Sequence, residues 1–102
     1  MGHADVTNAE IVRNADGTYK FSVTIHSQDT SWESYADGYE ILAPDGAVLG
    51  KRVLAHPHQT EQPFTRDIDN VWVPDDLESV TIRAHHMEFG YSGATLDVTL
   101  PR

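Results

Sequence analysis

The 102-residue sequence predicts an all-β fold, a seven-stranded antiparallel immunoglobulin-like or fibronectin-like β-sandwich forming one domain over residues 1–102. Two observations point there. Apolar residues recur with a period of two, the signature of half-buried strands, and the runs are separated by clusters of turn-forming residues at hairpin spacing. No segment of convincing helical length interrupts them.

The first strand is expected over Val6 to Arg13, and the clearest one follows over Tyr19 to His26. There Tyr19, Phe21, Val23 and Ile25 face one side, while Lys20, Ser22 and Thr24 face the other. Gly38 to Ala43, Ala47 to Ala55 and Phe64 to Val71 supply three weaker strands. The sixth spans Ser79 to His86 with Val80, Ile82 and Ala84 inward, and the seventh Gly93 to Leu100 with Ala94, Leu96, Val98 and Leu100 inward. A core of Phe21, Val23, Ile25, Ile41, Ile68, Val80, Ile82, Leu96 and Val98 is therefore predicted.

Turn chemistry connects these runs. Asn14-Ala15-Asp16-Gly17 and Ala43-Pro44-Asp45-Gly46 combine side-chain acceptors, a preset proline and a glycine free to take a positive φ, which suits tight hairpins. Pro74-Asp75-Asp76 and Gly90-Tyr91-Ser92-Gly93 make two further breaks. The longest irregular stretch, Ser27 to Asp37, holds Trp32 and Tyr35, which are expected to plug the open end of the sandwich.

Composition narrows the partners. A formal charge of −9 repels phosphate backbones, so nucleic acid is not expected as a ligand. No apolar run approaches the roughly 20 residues that span a bilayer, and no membrane insertion is expected. The chain contains no cysteine, so disulfides and thiolate metal sites are excluded. The opening Met1-Gly2 reads as an added start, with any secretory signal already removed.

The six histidines carry the chemical signal. They fall in four places, namely His3, His26, His56-Pro57-His58 and His85-His86. If the strands alternate in direction, all four lie at one pole, with the turns around Asp16, Asp45 and Asp75 at the other. Held extended by Pro57, His56 and His58 can turn both imidazoles the same way and chelate one ion. His85 and His86 are neighbours on a strand and must face opposite sides, His86 inward and His85 outward with Thr81 and Arg83, so one of the two can serve with them. With the third strand between the fourth and sixth, the two histidine-bearing ends would lie about 10 Å apart. Imidazoles without thiolates, with Glu61, Met87 and Glu88 near in sequence, suit copper or zinc. The candidate metal ligands are thus His56, His58, His85, His86 and His3. As written, Met1-Gly2-His3 is a square-planar nitrogen chelate, and a chain starting at His3 would offer amine and imidazole together.

No nucleophile elbow is present, and an enzyme is not expected. The alternative to metal binding is a protein- or carbohydrate-interaction module, using Trp32, Tyr35, Tyr39 and Tyr91 near the same pole.

His56-Pro57-His58 with Glu61-Gln62-Pro63-Phe64-Thr65-Arg66, and Arg83-Ala84-His85 with Gly90-Tyr91, resemble a family of small, uncharacterised exported bacterial proteins across nearly the whole chain. That resemblance implies a periplasmic or secreted domain with an immunoglobulin-like fold, whose partners would be a metal ion or another exported protein. A looser similarity links the chain to periplasmic copper-resistance C-type proteins, β-sandwiches whose mature chains begin with histidine and bind Cu(II) at one pole. This chain lacks the Asp-Gly-His-Pro stretch that those proteins carry before their last strand.

Overall fold

A computed structural model describes residues 3–101. The chelate expected of the Met1 amine and the Gly2 amide falls on residues outside that range. Among the described residues seven strands follow one another without a helix: β1 (Ala4–Arg13), β2 (Tyr19–Ser27), β3 (Ala36–Leu42), β4 (Val48–Val53), β5 (Phe64–Val71), β6 (Ser79–His86) and β7 (Leu96–Thr99). They form a three-stranded sheet ordered β1-β2-β5 and a four-stranded sheet ordered β4-β3-β6-β7, every pairing antiparallel. The two sheets pack face to face as a sandwich, because each has one apolar face that only the other can cover.

The period-two pattern decides which side chains meet between the sheets. Phe21, Val23 and Ile25 of β2 face Tyr39 and Ile41 of β3 and Val80 and Ile82 of β6, all essentially inaccessible to water. Burying each such side chain contributes roughly 1.5–3 kcal/mol. Ile68, Leu96 and Val98 are only partly buried and pack on the margin of this core. Gly17 and Gly46 close the two hairpins with φ of 88° and 92°, a region that side chains with a Cβ seldom enter.

The seventh strand differs from its expected range. Ala94 is exposed, because its backbone leaves the four-stranded sheet to bridge β1: its carbonyl accepts from the Val6 N–H at 2.9 Å and its N–H donates to Asp5 Oδ1 at 2.7 Å. Backbone satisfaction of the sandwich edge therefore overrides alternation there.

Register fixes the poles. Ala4 pairs with Ser27, Ile25 with Phe64, Gly38 with Val53 and Ala36 with His86. These pairs gather the start of β1, the end of β2, the start of β3, the end of β4, the start of β5 and the end of β6 at one end. All six histidines belong to that end, and the turns holding Asp16, Asp45 and Asp75 belong to the other.

Candidate functional site

Sharing a pole does not bring the histidines together. Among the described residues no group of three or more His, Asp or Glu side chains is arranged to hold a metal ion. Five of the six imidazoles instead divide among three settings, each fixed by the strand or loop that carries it, and His26 belongs to none of them.

The first setting is the β4–β5 loop. His58 turns inward, buried and stacked on Phe64 with ring centroids 3.8 Å apart. Burial, then the charges of Arg66 and His56, push its pKa below the ordinary histidine value, so the ring is neutral at pH 7. Neither ring nitrogen has a hydrogen-bond partner among the described residues. Its Nδ1 lies 3.6 Å from Asp29 Oδ2, too far for a hydrogen bond. His56 is exposed, with its ring centroid 4.6 Å from that of His58. Its Nδ1 donates to the Pro57 carbonyl at 3.1 Å, which leaves Nε2 with the lone pair. The expected pair is thus adjacent, but one ring is sealed in and the other faces solvent.

What holds this loop is a residue that sequence reasoning passed over. The Asp29 side chain is fully buried. Its Oδ1 accepts from Ser27 Oγ at 2.7 Å and the Ala36 N–H at 2.9 Å, and its Oδ2 accepts from the His58 N–H at 2.8 Å. One carboxylate thereby ties the end of β2, the start of β3 and the β4–β5 loop. Gln62 doubles the tie, its Oε1 accepting from the Ser27 N–H at 2.9 Å and its Nε2 donating to the His58 carbonyl at 2.8 Å. The one available sequence signal was Ser27-Gln28-Asp29, an Asx-type acceptor just past a strand end.

The second setting contains His86 and His3. His86 is fully buried, and its ring nitrogens are both engaged: Nε2 donates to the Gln28 carbonyl at 3.0 Å and Nδ1 accepts from the Glu88 N–H at 3.2 Å. No lone pair remains for a metal. His86 therefore departs from the expectation of a ligand, because the inward face of a strand end must satisfy loop backbone. His3 stacks on Phe89 with centroids 3.7 Å apart, and its Nδ1 lies 3.1 Å from Ser92 Oγ.

The third setting is the outer face of the four-stranded sheet. His85 points outward there, its Nδ1 2.5 Å from Asp37 Oδ1 and its ring edge-on to Tyr91 at 4.7 Å. Arg83 lies on the same face; Nε and a terminal nitrogen meet Glu40 Oε1 at 2.8 and 2.7 Å, and its guanidinium sits 3.8 Å from the Tyr91 ring centre. His26, by contrast, stands exposed on the other sheet.

Aromatic placement also differs from expectation. Tyr39 is buried in the core and donates its hydroxyl to the Arg66 carbonyl at 2.8 Å, so it is no part of the surface. Trp32 does not plug the sandwich; it is 68% exposed and touches Tyr35 edge-on at 6.2 Å. Leu54 and Phe64 close that end instead, both buried. The Trp32 loop is tied to the β6–β7 loop by the Met87 N–H donating to the Tyr35 carbonyl at 3.0 Å and by Ser34 Oγ donating to Glu88 Oε1 at 2.5 Å. Met87 and Phe89 on the second loop are each 42% exposed.

Comparison with known proteins adds one relative. A curated protein of Halomicrobium mukohataei named "Putative lipoprotein" is 33% identical over 98 residues. The match takes in 96% of this chain and 48% of that protein, so the chain spans about half the length of the relative it matches. No family model matches the chain, and no solved structure matches it.

Proposed function

We propose that this chain is a non-catalytic interaction module of an exported protein, binding a protein partner at its histidine pole through Trp32, Met87 and Phe89. The observation that carries this reading is the exposure of these large apolar side chains on two loops tied to each other and to buried groups. Aromatic and methionine side chains held in water on rigid supports are the usual composition of an interface centre. Glu33 and Glu88 flank them, so the partner surface would have an apolar centre and a basic rim. The lipoprotein name of the relative supports export, and the chain's share of that relative suits a module within a longer protein. No helix is long and apolar enough to cross a membrane among the described residues.

Capture from an exported-protein fraction would compare the parent, a Trp32→Ser/Phe89→Ser double variant and Trp72→Ser, which removes an exposed apolar side chain at the opposite pole. The expected result is a partner retained by the parent and by Trp72→Ser and lost by the double variant. A partner indifferent to the double variant would overturn the reading.

A second reading rests on His58. A buried imidazole with both nitrogens unpartnered among the described residues, its ring centroid 4.6 Å from that of a second imidazole, would with that second ring supply two ligands to a copper or zinc ion. Calorimetry with Cu(II) and Zn(II) on the chain beginning at His3 should then show binding that is lost in His56→Ala/His58→Ala. It should weaken from about pH 7 to about pH 5 as protons compete for the ligands. Binding no tighter than millimolar would exclude this reading.

A further inference from the structure

A groove crosses the outer face of the four-stranded sheet, and neither Trp32 nor the His56–His58 pair is among the residues that line it. Outward positions on β4, β3 and β6 line up in rows, since Val53 pairs with Gly38 and Gly38 with His85, and Lys51 pairs with Glu40 and Glu40 with Arg83. In the first row the middle strand has no side chain. The backbones leave no room for one, because a Cβ on Gly38 would stand 2.9 Å from the Arg52 carbonyl oxygen. A gap two strand spacings wide is thus left between Val53 and His85, and Tyr91 folds over from the β6–β7 loop to wall it. The cavity measures about 210 Å³.

The chemistry of its lining is specific. His85 is held by Asp37 through Nδ1, so Nε2 is the atom presented to a ligand. Asp37 uses only Oδ1 on His85. Lys51 offers an ammonium with no ion pair among the described residues, because Glu40 is taken by Arg83. Val53 and the 45%-exposed Tyr91 add apolar surface. The Glu40 carboxylate is neutralised by Arg83 beside the groove, and Asp37 and Lys51 carry opposite charges in the lining, so the groove selects neither an anion nor a cation. It offers fixed donors and acceptors around an apolar wall, an arrangement that matches an uncharged ring bearing several hydroxyls, each of which can both donate and accept. Its volume is below the roughly 300–1,000 Å³ of pockets for drug-sized ligands, which limits the occupant to about one ring.

We propose that this groove, floored by Gly38 and bounded by Val53, Lys51, His85, Asp37 and Tyr91, is a binding site for a single neutral sugar residue. Lys51 donates to one hydroxyl, His85 Nε2 and the second Asp37 oxygen accept from others, and the ring's C–H face lies along Val53 and Tyr91.

Titration of ¹⁵N-labelled protein with glucose, galactose, mannose and N-acetylglucosamine, with glycerol as control, tests the site. At least one sugar should produce saturable amide shifts centred on Gly38, Val53, His85 and Tyr91, in the millimolar range expected of a shallow groove. His85→Ala and Lys51→Ala should each weaken binding at least about fivefold with an otherwise unchanged spectrum, and Trp32→Ser/Phe89→Ser should leave it intact. The site is refuted if no sugar gives saturable shifts at these residues, if glycerol reproduces them, or if they survive both groove substitutions.

Discussion

The His58 N–H donates to Asp29 Oδ2 at 2.8 Å, so the backbone of the histidine, and not its ring, is what the buried carboxylate holds. The same side chain also accepts from Ser27 and Ala36. One acidic side chain thereby ties the end of β2, the start of β3 and the β4–β5 loop at the histidine pole.

Asp29→Ala should consequently destabilise the fold by about 2–4 kcal/mol, since it strands three donors in a buried setting. Asp29→Asn should recover only part of this, because its amide turns one acceptor into a donor facing an N–H. Urea denaturation of the three proteins gives the values, and a loss under about 0.5 kcal/mol for Asp29→Ala would contradict the clamp.

His58 should make stability pH-dependent. Its folded pKa is depressed, chiefly by burial, so the unfolded chain binds the proton more readily. Above the unfolded value of about 6.5 both states are neutral and nothing is lost; as pH falls below it, stability declines until the folded ring also protonates. The difference in Tm between pH 7.5 and pH 5.5 should therefore shrink in His58→Gln. An unchanged difference would show that the ring does not contribute.

His86→Ala should cost about 2–4 kcal/mol, removing a buried ring and leaving the Gln28 carbonyl and Glu88 N–H without it. It should not alter any Cu(II) or Zn(II) affinity of the folded protein. A stable variant that has lost metal binding would reverse the assignment of this residue.

In the core, Ile82→Ala should cost about 2–5 kcal/mol, and Val98→Ala distinctly less, because Ile82 is sealed between the sheets while Val98 lies at the margin. Denaturant midpoints of the two variants should separate accordingly.

Alternation along Tyr19 to Ile25 and Ser79 to His86 was sufficient to assign those strands, their inward faces and the outward turn of His85, since a period of two follows from strand geometry alone. Asn14 to Gly17 and Ala43 to Gly46 likewise declared their hairpins through local turn chemistry, and antiparallel alternation then placed every histidine at one pole. What happens at that pole was beyond the sequence. Whether His58 is sealed against Phe64, whether His86 satisfies the backbone of Gln28 and Glu88, and whether Trp32 faces water all depend on loops whose conformations are set by contacts between residues distant in the chain. Asp29 meeting His58 and Ala94 meeting Asp5 are contacts of that kind. Strand periodicity is a property of the local backbone, whereas ligand sets and exposed surfaces arise from the packing of separate loops. Only the tertiary structure could distribute the histidines of one end among separate settings and open a groove at Gly38.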